Sequence, residues 1–115
     1  MYKQLVEKKI DVEIVPDLLP TRRTKTKQEI EYLKIANEVS CKCFAFIRET
    51  LKKSTIKPET NELIFDGKVL TSEWLKTQVE LISAQNESTP FDTIIACGKH
   101  GTDPHNEGSG PVYAN

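Results

Sequence analysis

Apolar residues recur along the middle of the chain with the spacing of a helix. From Ile30 they return at Leu33, Ala36, Cys43, Phe44, Ile47 and Leu51, with Ser40 as the one small polar interruption and no proline in between. One face carried for about seven turns predicts a long helix from Thr26 to about Lys53, with that stripe in the core. Its start is marked by Thr26-Lys27-Gln28-Glu29. In such a capping box the threonine oxygen accepts from the third backbone amide and the glutamate reaches back.

Shorter elements flank this helix. Met1 to Lys9 reads as a short or frayed helix, and Ile10 to Val15 alternates like a half-buried strand, with Ile10, Val12 and Ile14 opposite Asp11 and Glu13. Pro16 and Pro20 close that segment and bracket a connector. Thr55 to Thr60 is a second connector. Leu63-Ile64-Phe65, Asp66-Gly67 and Lys68-Val69-Leu70 predict a small hairpin, because Asp-Gly favours a type I′ turn. Thr71 or Ser72 then caps a second helix to about Ala84, with Glu73 in its first turn and Leu75, Val79 and Ile82 facing inward beside Trp74. Gln85 to Pro90 is a polar turn. Phe91 to Cys97 is a compact apolar run without alternation at its end, which predicts a central strand. The fold class is α+β: a long helix, a second helix and part of an antiparallel sheet.

Composition narrows the function classes. Of 115 residues, 16 are Lys or Arg and 17 are Asp or Glu, a net charge of −1 that argues against a nucleic-acid binder. The run Arg22, Arg23, Lys25, Lys27 has no aromatic residue among its charges, so it reads as a solvated helix entrance rather than a phosphate patch. No apolar run is long enough to span a bilayer, and the N-terminus lacks a signal-peptide core. Three cysteines without an export signal fit a reducing, cytoplasmic compartment. Cys41 and Cys43, two apart on a helix, point about 200° apart and cannot pinch one metal. They and Cys97 read as small buried or half-buried thiols.

The chemistry concentrates in one loop. Gly98 to Pro111 holds four of the five glycines, both histidines, and the carboxylates Asp103 and Glu107. A glycine-rich loop leaving a strand is a suitable seat for chemistry. One reading is a small metal site from His100, Asp103 and His105, since imidazole and carboxylate suit zinc or manganese. A phosphate cradle is excluded, because no Gly-Lys-Ser/Thr element is present. The other reading is a substrate-facing histidine fixed by the preceding Pro104.

Two stretches in order carry a family resemblance. Arg22-x-x-Lys25-Thr26-x-x-Glu29-Ile30-Glu31-Tyr32-Leu33-Lys34-x-Ala36 resembles the opening of the catalytic domain of the pita-bread metallopeptidases, the creatinase, prolidase and Xaa-Pro aminopeptidase group. Phe91-Asp92-x-Ile94-Ile95-Ala96-Cys97-Gly98 is similar to the family's strand into its Ser-Gly loop. Leu70-Thr71-Ser72-Glu73 and Asp103-Pro104-His105-Asn106-Glu107-Gly108-Ser109-Gly110-Pro111 look most like the bacterial Xaa-Pro aminopeptidases. The resemblance covers Arg22 to the end. It implies that residues 1–20 are the tail of a preceding domain with its linker, and that 21–115 are the N-terminal portion of a partial pita-bread fold.

The resemblance also implies an activity. The family hydrolyses the N-terminal residue from peptides with proline second, through a hydroxide bound to two divalent metal ions (Mn, Co or Zn). Its first active-site histidine corresponds to His105, which would contact substrate and the tetrahedral species from a loop containing Gly98, His100, Pro104 and Asn106. An imidazole suits that task because it donates or accepts near neutral pH. Here Cys97-Gly98-Lys99-His100 stands where the family has Ser-Gly-x-Asn, and Asn106 where an aromatic often follows. The family's metal ligands, two aspartates, a histidine and two glutamates, come after the position of His105, where this chain has the single acid Glu107. The expectation is therefore no metal bound by this chain. Its partners would be a peptide substrate in the complete enzyme and a missing C-terminal half or further copies of itself. The competing expectation is a non-catalytic binding module on the same scaffold. A bare edge along residues 91–97 predicts aggregation of the isolated chain.

Overall fold

The computed structural model describes residues 2–10, 16 and 19–114, and the chain divides into two compact units, Met1–Glu31 and Tyr32–Asn115. In the first unit α1 spans Tyr2–Glu7. It ends where Lys9 turns into the left-handed region at φ 56° and Ile10 N–H donates back to Leu5 O at 3.1 Å. The alternating segment expected to be a strand lies, from Asp11 to Val15, outside the described residues. Pro20–Arg23 forms a 3-10 turn with proline at its start, where a missing N–H costs nothing. Arg22, Arg23, Lys25 and Lys27 are all exposed, as a solvated helix entrance requires.

Helix α2 runs Lys27–Lys53. Its capping box forms as the sequence predicts. Thr26 N–H donates to Glu29 Oε2 at 2.7 Å, and Glu29 N–H donates to Thr26 Oγ1 at 3.2 Å. The Thr26 backbone N–H, followed by the Thr26 hydroxyl donating to the same oxygen at 2.9 Å, holds the Glu29 carboxyl below its usual range.

The second unit contains the core. After α2 come β1 (Thr55–Ile56), β2 (Leu63–Phe65) and β3 (Lys68–Val69), an antiparallel sheet in that order. Thr55 pairs with Ile64, and Ile64 with Val69. The predicted hairpin is present, with Asp66 at φ 48° and Gly67 at φ 72°, both central residues left-handed as type I′ demands. The expected connector is, at Thr55 and Ile56, instead an edge strand. Helix α3 (Ser72–Gln85) is capped by Thr71, whose Oγ1 accepts from Trp74 N–H at 3.2 Å.

The tail closes the unit. Leu63 N–H donates to Val112 O at 2.8 Å, and Val112 N–H donates to Leu70 O at 2.9 Å. Val112 is thereby wedged against Leu63, Leu70 and Leu75, the buried cluster. Burying a leucine such as Leu75 completely is worth about 2–3 kcal/mol. Trp74 lies beside this cluster, with ring centroids 6.0 Å from Phe46 and 5.5 Å from Phe65.

Three expectations need correction. The α2 stripe is core only in part: Cys43 is buried and Ile47 packs against the core cluster, but Ile30, Leu33, Phe44 and Leu51 are exposed, and Val39 and Thr50 are buried instead. The covered side is the one on which Cys43 Sγ lies 3.9 Å from Val79 O and Ser83 Oγ of α3, and a 14-residue helix of about 20 Å cannot flank all of a 27-residue one of about 40 Å. The second correction concerns Phe91–Cys97, which forms no strand. Ile95 N–H donates to Glu107 O at 3.0 Å, and that single bond starts no ladder. The third concerns the thiols. Cys43 is buried and Cys97 half-buried, but Cys41 is exposed on the uncovered side of α2. Among the described residues, no helix is long and apolar enough to cross a membrane.

Candidate functional site

The site is the loop that leaves the Phe91–Cys97 segment and returns to the core at Val112. Gly98 opens a 3-10 turn, Gly98–Thr102, which contains His100. Thr102 Oγ1–H donates to Lys99 O at 2.8 Å and closes that turn. The Asp103-Pro104-His105 corner is set locally, because Asp103 Oδ1 accepts His105 N–H at 2.9 Å. Asn106 repeats the device, its Oδ1 accepting Gly108 N–H at 2.9 Å. Short polar side chains that bond two residues ahead turn the backbone without long-range help.

Beyond the corner, other elements grip the chain. Glu107 O accepts from Ile95 N–H. Lys76 Nζ on α3 donates to Gly108 O at 2.9 Å and stands 3.9 Å from the Glu107 carboxylate. Gly110 N–H donates to both carboxylate oxygens of Glu73, at 2.9 and 3.1 Å. That amide, followed by Glu73's own backbone amide, holds the Glu73 carboxyl below its usual range, and Thr71 and the Lys76 charge add to the effect. Gly110 O accepts from Ser72 N–H at 2.9 Å. Gly108 has no alternative residue: at φ 79° a Cβ would lie 1.9 Å from Ile95 O.

The sequence-predicted residues fall as follows. His105 and Pro104 are exposed at the tip, His100 and Asn106 are half-buried, and Gly98 sits at the loop's base. Among the described residues, neither imidazole makes a hydrogen bond or ion pair. His100, Asp103 and His105 are not brought together, and no group of three or more His, Cys, Asp or Glu stands at metal-binding separation among the described residues. Cys97 contacts the returning tail: Tyr113 N–H donates to its Sγ at 3.3 Å.

Sequence reasoning missed the clamp. The sequence marks Glu73 as a first-turn acid and motif residue and Gly108 as a loop glycine, but pairs neither with the other element, and it gives Lys76 no role. Lys76 is three residues from Glu73 on one helix face, but nothing local says that this face meets residues 108–110. A second feature lies apart from the loop. An open groove of about 460 Å³ runs between α2, α3 and residues 88–95, lined by Val39, Cys43, Phe44, Val79, Phe91 and Ile94 among others. No residue of the histidine loop borders it.

No family model, curated protein or solved structure matches the chain.

Proposed function

We propose that this chain is the N-terminal portion of the catalytic domain of a pita-bread metallopeptidase of the Xaa-Pro aminopeptidase kind, which removes the residue preceding proline from a peptide's N-terminus. The observation that carries the reading is the placement of His105. It follows the family's helix-entrance motif in the right order, and it stands unpartnered at the tip of a loop whose returning limb is fixed. An exposed imidazole on a held loop is free to meet a peptide carbonyl or its tetrahedral adduct, where it donates or accepts one proton. Pro104 restricts the backbone just before it.

The residues present do not fit a two-cation centre. Only Glu107 follows His105 as an acid, and it faces Lys76. The reading therefore assigns this chain the substrate histidine and no metal ligand, and alone the chain is inactive.

Co-expression with the polypeptide encoded immediately downstream tests the proposal. With Mn, Co or Zn supplied, the pair should release the first residue of an Xaa-Pro tripeptide. His105→Ala should lower that rate by about 10²–10⁴-fold with the complex intact. A downstream sequence without aspartate, histidine and glutamate ligands, or an inactive pair, overturns it. The second reading, a non-catalytic binding module, draws on the apolar groove beside Phe44 and Phe91. It requires a monomer that melts cooperatively by itself.

A further inference from the structure

We infer that Glu73 and Lys76 are positioning residues, which fix the histidine loop through its returning limb while leaving its tip free to adjust. The inference rests on the reading that His105 is the working residue of that loop.

Two groups of bonds divide the loop. Residues 99–106 bond only within the segment from Cys97 to Gly108. His100 N–H donates to Cys97 O, Asn106 N–H to Asp103 O, and His105 N–H to the Asp103 side chain. Among the described residues, no hydrogen bond or ion pair from outside the loop holds the tip. Residues 107, 108 and 110, by contrast, are all tied to other elements. Ile95 takes the Glu107 carbonyl, Lys76 the Gly108 carbonyl and Glu73 the Gly110 amide.

The chemistry of the two α3 clamps is matched to their targets. An ammonium donates to a carbonyl, and two residues later a carboxylate accepts from an amide, so both bonds are charge-assisted and cannot exchange roles. The side chains project from a rigid turn. Ser72 and Leu75 next to them are the most deeply buried of the described residues, 0% and 1% exposed. The charged groups facing this limb are Glu73, Lys76 and Glu107, and the Lys76 side chain is only 17% exposed. A lysine so placed fixes the height of Gly108 above α3, and thereby the base from which His105 extends.

Hydrogen–deuterium exchange on the full chain, read by mass spectrometry at low micromolar concentration, tests this. Lys76→Met should speed exchange of segment 105–110 at least tenfold and leave segment 77–84 of α3 unchanged. It should also change the slow exchange of the His105 ring C2 hydrogen relative to that of His100. Lys76→Arg, which keeps the donor, should restore both signals. Glu73→Gln retains an acceptor and should fall between wild type and Glu73→Ala. Unchanged loop exchange in Lys76→Met overturns the inference. So does an equal speeding of loop and helix, which marks general destabilisation, or a failure of Lys76→Arg to rescue. If Lys76→Met does not fold by circular dichroism, the Glu73 pair decides by the same criteria. No peptide turnover enters these readings, so a missing peptidase activity and a missing clamp are told apart.

Discussion

At the scale of single residues, the loop depends on backbone groups that lack any side chain of their own. Gly108 is the clearest case. Alanine there would strain a left-handed backbone and push a methyl into Ile95 O, costing about 2–4 kcal/mol. Thermal denaturation of Gly108→Ala should show a midpoint lower by ten degrees or more, and a wild-type melt would refute the overlap. Glu73 gives a pH signature. Its carboxyl is held below the ordinary value of 4.5 by the Gly110 amide. A carboxyl lowered in the native state contributes stability that is complete above its unfolded value, and loses it as pH falls through the native one. Wild type should therefore lose stability between about pH 4.5 and the lowered native value more steeply than Glu73→Gln does. Parallel curves for the two proteins would remove Glu73 from the loop's electrostatics.

At the scale of elements, local signals worked where they were complete within a few residues. The Thr26–Glu29 box, the Asp66-Gly67 turn and the Thr71 cap each carry donor, acceptor and backbone geometry in adjacent positions, and each forms as read. Thr71→Ala should cost about 1 kcal/mol through the lost acceptor for Trp74 N–H, measurable by urea denaturation. An unchanged midpoint would mean the cap is idle. Readings failed where an element's fate depends on neighbours. Periodicity made α2 amphipathic, but which face is buried follows from where α3 lies. Of the predicted stripe, Cys43 is covered because α3 meets it, its Sγ 3.9 Å from Val79 O and Ser83 Oγ, while Leu33, Phe44 and Leu51 stay exposed. Phe91–Cys97 has the composition of a central strand, yet a strand is a property of a pair, and among the described residues, 93–97 have no ladder partner.

At the scale of the whole molecule, the surface of the second unit carries apolar side chains with nothing over them. Phe91 is 92% exposed, Phe44 72% and Ile94 51%, all on the groove between α2, α3 and residues 88–95. At roughly 200 Å² per aromatic side chain this reaches the several hundred Å² at which patches drive association. The chain by itself should self-associate at tens of micromolar in sedimentation velocity, and Ile94→Lys with Phe91→Ser should return it toward monomer. A monodisperse wild-type monomer would refute this and favour the binding-module reading. The sequence by itself determined the helix starts, the hairpin turn, the α+β class and the concentration of histidine and glycine between residues 98 and 111, because caps, turns and periodicity act across a few bonds. Tertiary structure alone decided which part of the α2 stripe is covered, the absence of a strand at residues 93–97 and the grip of Glu73 and Lys76 on Gly110 and Gly108. Those depend on groups distant in sequence meeting in space, a meeting that no local preference encodes.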